Sequence, residues 1–245
     1  HVTFAYNRCS SPVLENVDFT AEPGQTTAII GPTGSGKSSI IKLVERFYDV
    51  AEGSVRVGGV DVRDMKQDEL RKELGYVPQK AFLFSGTIGS TIAYSNEAMD
   101  EERIRSAAEI AQATEFIDAK AEGMQTAISQ GGTNVSGGQR QRLSIARALA
   151  TGARVLLFDD SFSALDYATD AKLRRALAQN AAGKTVIVVA QRISTVLNAD
   201  KIVVLEEGKM VGCGAHSELM KTCPTYREIA ESQLSEEELK GGDER

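Results

Sequence analysis

Residues 31–38 read Gly31-Pro32-Thr33-Gly34-Ser35-Gly36-Lys37-Ser38, the spacing GxxxxGK[ST]. The run before it, Thr26-Thr27-Ala28-Ile29-Ile30, is strand-sized and largely apolar. The run after it, Ser39-Ile40-Ile41-Lys42-Leu43-Val44, opens a helix. Strand, glycine loop and helix in that order commit the chain to an α/β fold built around a phosphate cradle. The glycines let consecutive backbone N–H groups converge on phosphate oxygens. The helix N-terminus adds unpaired donors and a partial positive charge. The cradle is assigned to Thr33, Gly34, Ser35, Gly36, Lys37, Ser38 and Ser39. Lys37 is expected at the β- and γ-phosphates, and the Ser38 hydroxyl at Mg²⁺. The ligand class is therefore a nucleoside triphosphate.

The chain has 245 residues, of which 42% are hydrophobic and 25% charged. That suffices for one large domain with a real core. The net charge of -6 argues against a nucleic-acid surface. Cys9, Cys213 and Cys223 are odd in number and lack CxxC spacing, as in a reducing compartment without a disulfide framework. Only His1 and His216 could join them, so no protein-built zinc site is expected. Both histidines are read as surface residues. The longest apolar runs, Val155–Phe158 and Val186–Ala190, are far shorter than a membrane span. The chain opens in a strand-like alternation without an initiator Met, which reads as a piece of a longer polypeptide.

Short strands surround the phosphate loop, and Glu52–Gly59 reads as a strand entering a turn. A helical middle follows, with Asp100 as a cap for Glu101–Ile110. Ile104, Ala107, Ala108 and Ala111 recur there at helical spacing and are expected in the core. Gln139–Ala150 and Ala168–Gln179 read as further helices. Val155–Phe158 and Thr185–Val189 are continuously apolar, as in a parallel sheet covered on both faces. Lys201–Leu205 and Lys209–Val211 flank Glu207-Gly208 as a hairpin. A last helix near Tyr226–Gln233 leads into a charged tail, Ser235–Arg245, expected to fray.

Further landmarks carry a family resemblance. Asp159 ends an apolar strand, as a Walker-B aspartate does. Asn134-Val135-Ser136-Gly137-Gly138-Gln139 resembles the LSGGQ signature of ATP-binding cassette (ABC) proteins. Tyr76-Val77-Pro78-Gln79 resembles their Q-loop, and Ser163-Ala164-Leu165-Asp166 their D-loop. Leu83-Phe84-Ser85-Gly86-Thr87-Ile88 resembles the exporter branch. The motifs occur in family order and cover nearly the whole chain. The resemblance implies an ABC-type P-loop NTPase core with an antiparallel β subdomain and a helical subdomain, the latter at about residues 80–150 of a single 1–245 domain. It implies a membrane domain upstream and a place at the cytoplasmic face of the membrane. It also implies two such domains head to tail, with two ATPs between them. Tyr6 stands where the family stacks adenine; the lesser alternative is a strand Tyr packed on the core. Gln79 and Asp159 join Ser38 as Mg²⁺ ligands. Ser136, Gly137, Gly138 and Gln139, with Asp166 of the D-loop, would act in trans on the partner's nucleotide. Ser136 is also readable as a plain helix N-cap.

Two positions leave the hydrolytic pattern. After the Walker-B aspartate the family carries Glu, a general base; here Asp160 stands. After the strand Thr185–Val189 it carries His; here Gln191 stands. Asp160 is shorter by about 1.5 Å, one carbon–carbon bond. Gln191 cannot become cationic or shuttle a proton. The expected protein is one half of a heterodimeric exporter: its own site holds ATP and cuts it poorly, and its signature completes the catalytic site of a non-identical partner with Glu and His. Gln130 replaces an acidic residue before the signature, and Phe82, Leu83 and Phe84 are read either as a docking groove for the membrane domain or as core. The competing readings are a DNA-repair or translation ABC ATPase and a purely regulatory ATP-binding module. The repair type needs a long coiled-coil insertion, and the segment between loop and signature lacks heptads.

Overall fold

The computed structural model describes residues 1–7, 11–94, 96, 98–180 and 183–234. Cys9 and the tail Ser235–Arg245 lie outside them. The chain divides into two compact units, His1–Leu74 with Thr185–Arg245, and Gly75–Lys184. In the first unit β1 (Val2–Phe4) pairs antiparallel with β2 (Leu14–Val17). Then β3 (Thr26–Ile30) passes through the glycine loop into α1 (Lys37–Val44). A ribbon of β4 (Arg56–Val57) and β5 (Val60–Asp61) precedes α2 (Gln67–Glu73).

The second unit runs through β6 (Leu74–Val77), β7 (Gly86–Thr87) and α3 (Ile88–Ile92) to α4 (Glu101–Ile110) and α5 (Thr114–Asp118). It continues with β8 (Ala127–Ile128), α6 (Gly137–Ala150), β9 (Val155–Asp159) and α7 (Tyr167–Asn180). The first unit then resumes with β10 (Thr185–Val189), α8 (Ile193–Val196), β11 (Lys201–Glu206), β12 (Lys209–Gly214), α9 (His216–Thr222) and α10 (Pro224–Gln233).

In the first unit β3 lies between β10 and β11 and is parallel to both; Val189 faces Ile29 and Val204 faces Ile30. β12 returns antiparallel on β11. Ala28, Ile29, Ile30, Val188, Val203 and Val204 are all buried, as parallel strands covered on both faces require. α1 adds Ile40, Ile41, Leu43 and Val44 to the core. Each fully buried residue of this size stabilises by about 1.5–3 kcal/mol. The phosphate loop thus leaves the C-terminal end of a strand with parallel neighbours on both sides, the place where open α/β sheets bind ligands.

In the second unit β9 lies beside β6, and α6 packs against α3 and α4. Asp100 Oδ1 accepts from Arg103 N at 2.7 Å and caps α4. Ala107, Ala108 and Ala111 are buried as their spacing predicts, whereas Ile104 is only half-buried. α6 starts two residues before the expected Gln139. Ser136 Oγ accepts from Gln139 N while Gln139 Oε1 accepts from Ser136 N. This reciprocal box fixes the helix start despite two glycines of low propensity.

His216 departs from the surface position expected of it. It is buried, and its Nδ1 lies 2.8 Å from the Tyr226 hydroxyl. Tyr226 is fully buried, and burial raises the pKa of its phenol above the usual value. The pair joins α9 to α10, and a polar side chain can be buried there because a partner awaits it. Cys213 is exposed and Cys223 buried, both as free thiols. Among the described residues no helix is long and apolar enough to cross a membrane. Tyr226→Phe removes the His216 bond while keeping the ring. It is expected to lower stability by about 1–3 kcal/mol, read as a shift in the urea midpoint at unchanged m.

Candidate nucleotide site

The loop between β3 and α1 is shaped by close approach. A Cβ on Gly31 would collide with the Leu205 carbonyl of β11. Gly36 is the N-cap of α1 at φ 97, and a Cβ there would sit 2.6 Å from Leu14 Cδ2 and 2.9 Å from the Val13 carbonyl oxygen. Only glycine fits both constraints at position 36. Gly36 brings no capping side chain to the first turn of α1. The N-terminus of α1 therefore presents backbone donors and a positive dipole end to the loop. Thr33 and Gly34 are exposed, Ser38 is half-buried, and Ser35 and Ser39 are buried.

Lys37 is buried, and its Nζ donates to the Gly31 and Pro32 carbonyls at 2.7 and 2.8 Å. Its ammonium thus lies inside the loop it is expected to serve. Ser39 Oγ meets the Tyr6 hydroxyl at 2.9 Å, which anchors Tyr6 beside α1. Tyr6 stands edge-on to Phe4 and Tyr48, at 4.9 and 5.0 Å between centroids. Lys42 Nζ lies 5.4 Å from its ring centre. Tyr6 is 39% exposed, so it both packs on the core and offers ring surface to a ligand. Gln191 is exposed just past β10, and its carbonyl accepts from Gln233 Nε2 at 2.9 Å. Gln233 Oε1 also accepts from Ile193 N at 2.8 Å. No sequence signal pointed to Gln233, which ties α10 to the segment that carries Gln191.

In the second unit Asp159 and Asp160 are both buried at the end of β9. Asp160 has φ 47, a left-handed conformation that Asp tolerates. Its carbonyl accepts from Ser163 Oγ at 2.8 Å. Gln79 Nε2 donates to Asp160 Oδ2 at 2.9 Å, across 81 residues of sequence. The amide nitrogen is thereby turned to Asp160, which leaves the amide oxygen as the hard donor of Gln79. Gln141, buried in α6, donates to the Pro78 carbonyl at 3.1 Å and holds the segment before Gln79 against the signature helix. Sequence reasoning passed over it. The available signal is that Gln141 shares a helix face with Ile145 and Ala148 at i+4 and i+7, a polar residue in an apolar stripe.

Ser136 and Gly137 are exposed at the start of α6, and Gly138 is half-buried. A Cβ on Gly137 would come no nearer than 3.9 Å to Arg140, and one on Gly138 no nearer than 3.6 Å to the Ala164 carbonyl. Neither glycine has a positive φ. Nothing among the described residues demands glycine at these two positions, which distinguishes them from Gly36. The Ala164 contact places the signature against the D-loop segment. Asp166 there accepts from Thr169 N at 2.9 Å and Thr169 Oγ1 at 2.8 Å, and starts α7. These bonds hold its carboxyl below the usual carboxylate range. Gln130 Oε1 accepts from Ser85 N at 3.2 Å.

The family model for ABC transporters matches residues 14–163. The chain belongs to the ABC transporter family. It is 46% identical over 234 residues to an uncharacterized ABC transporter ATP-binding protein of Mycobacterium bovis, covering 94% of this chain and 40% of that protein. It is 42% identical over 236 residues to an ATP-dependent lipid A-core flippase of Vibrio cholerae, covering 96% of this chain and 40% of that one. A solved structure of a bacterial Atm1-family ABC exporter with ATP bound superimposes with a TM-score of 0.91 at 36% identity, over 96% of this chain and 41% of that one. The ABC chain spans about two fifths of the length of these relatives. It is an ATP-binding domain of ABC type, with the mixed α/β P-loop NTPase fold.

Gln141→Leu keeps the bulk and strips the Pro78 carbonyl of its donor. The expected result is a stability loss of about 1–3 kcal/mol, with amide-exchange protection falling first between residues 76 and 80. Unchanged exchange there would mean that α6 does not hold the Gln79 segment.

Proposed function

We propose that this domain is the nucleotide-retaining half of a two-cassette exporter. Its own loop holds ATP, with Thr33 to Ser39 on the phosphates and Tyr6 on the adenine. Ser38, Gln79 and Asp159 offer a hydroxyl, an amide oxygen and a carboxylate, the hard donors that suit Mg²⁺. Bound there, Mg²⁺ would neutralise phosphate charge. Hydrolysis at this site is slow, because Asp160 falls short of the water a Glu would orient. A misplacement of about 1 Å can cost about 10²-fold, and loss of general-base help about 10²–10⁴-fold. Asp160 also accepts from Gln79 Nε2 through one of its oxygens. Gln191 adds a neutral amide where a proton-transferring imidazole would stand.

The observation that carries the reading is the contrast between these altered groups and the pair of glycines at the start of α6. They leave the start of α6 without side chains, and no contact within the unit explains it. Close approach of a phosphate explains it. Ser136, Gly137, Gly138 and Gln139 would then act on ATP held by a second, non-identical cassette with Glu and His, and Asp166 would set the D-loop between the two sites. ATP can drive the closed pair only by binding it better than the open one.

A membrane domain would dock on the second unit. Leu83 is buried, whereas Phe82 and Phe84 are half exposed. Phe84 stacks on Tyr94 at 5.0 Å beside a groove of about 1190 Å³ reaching Ile104 and Arg147. That groove suits an amphipathic helix. The relatives named as lipid A-core flippases and an Atm1-family exporter support export at the cytoplasmic face of a membrane as the work of the whole protein.

The test is ATP turnover of this chain alone, of the mixed pair, and of both after Asp160→Glu with Gln191→His. The isolated wild-type chain is expected to turn over at least about 10²-fold more slowly than the mixed pair, and the double substitution to recover most of the deficit. Equal rates for the isolated chain and the mixed pair would overturn the proposal. In the pair, Ser136→Arg is expected to abolish turnover while leaving ATP binding to this chain's own loop intact.

A further inference from the structure

A second cavity, of about 230 Å³, lies within the Gly75–Lys184 unit. Arg103 and Ile110 of α4 lie one heptad apart and so share a face. Leu149 at the end of α6, Leu156 of β9 and Leu177 of α7 supply the rest of the apolar wall, and Lys184 closes the rim. The cavity is at the C-terminal end of α6. That helix has 14 residues, which puts the cavity about 20 Å from the Ser136 end.

Two cations share this small space. Arg103 reaches over Gly152, where a Cβ would collide with its Nη2. Arg103 is itself exposed, whereas Lys184 is half-buried. Burial lowers the pKa of its ammonium, and the nearby Arg103 charge lowers it further. Among the described residues neither side chain has an ion pair. The end of α6 offers Arg103 only a partial negative pole, weak beside a carboxylate. A half-buried ammonium without a counter-ion is costly, and one anion beside Lys184 would relieve it while also meeting the Arg103 guanidinium. Sites for drug-sized ligands typically span roughly 300–1,000 Å³; this cavity is smaller, so a nucleotide is too large for it. The leucine and isoleucine wall would gain nothing from a bare inorganic anion.

We propose that this cavity is a binding site for a short-chain aliphatic carboxylate, its carboxyl group between Arg103 and Lys184 and its alkyl chain on Ile110, Leu149, Leu156 and Leu177. Charge-assisted hydrogen bonds supply the recognition, and the alkyl chain selects an organic acid over phosphate. No residue of the phosphate loop lines the cavity.

The experiment is calorimetric titration of the 245-residue chain with sodium hexanoate, alongside hexanol, hexylammonium and inorganic phosphate. Saturable hexanoate binding is expected, with the other three at least about 10-fold weaker, the factor that one lost charge-assisted bond represents. Arg103→Gln with Lys184→Met is expected to weaken hexanoate by about 10-fold or more, while ATP affinity and the thermal midpoint stay as in the parent, which separates a lost site from a lost fold. Three results would overturn the proposal: no saturable hexanoate binding, equal binding of hexanol, or undiminished binding by the double variant. Competition between hexanoate and ATP would do the same, by placing the acid in the nucleotide loop.

Discussion

A side chain at position 31 would have to occupy the space of the Leu205 carbonyl. That single approach, between the end of β3 and the body of β11, sets where the chain turns from strand into helix. The turn then requires a left-handed residue at Gly36, pressed on Leu14. From these two contacts follows the direction of α1, and with it the convergence of its first backbone donors on one point. The buried β10–β3–β11 set gives that point a rigid base. Binding triphosphate is thus a consequence of backbone shape before any side chain is considered, and Lys37 and Ser38 refine what the backbone already offers.

The same comparison of glycines separates structure from function elsewhere. Gly36 is glycine because the fold leaves no room. Gly137 and Gly138 have room and normal backbone angles. Asp160 and Gln191 run the other way: they keep polarity at positions where the family's chemistry asks for reach and a transferable proton. On the proposed reading, one surface of the domain serves another molecule's ligand while Asp160 and Gln191 serve its own less well. A division of labour between unlike cassettes accounts for both facts, and neither fact alone requires it.

The strong elements were legible because their signals are local. The apolar runs of β3, β9 and β10, the hairpin at Glu207-Gly208 and the caps Asp100 and Ser136 all act within a few residues. Two-residue strands such as β7 and β8 were not, since no periodicity fits in so short a span. His216 was misplaced because its burial depends on a hydroxyl ten residues away in another helix. The Gln79–Asp160 bond spans 81 residues, and no local pattern announces it. Gln141 and Gln233 act through such distant pairings too. Leu83 and Phe84 sit one residue apart, yet one is core and the other lines a groove, a distinction that hydrophobicity alone cannot make.

The domain is proposed to keep its nucleotide while a neighbour hydrolyses its own. Photo-crosslinking of a radiolabelled azido-ATP in the mixed pair, after one round of turnover, reports the nucleotide attached to each chain. Intact triphosphate on this chain and diphosphate on the partner is the predicted result. Diphosphate on both, in equal amounts, would contradict the account.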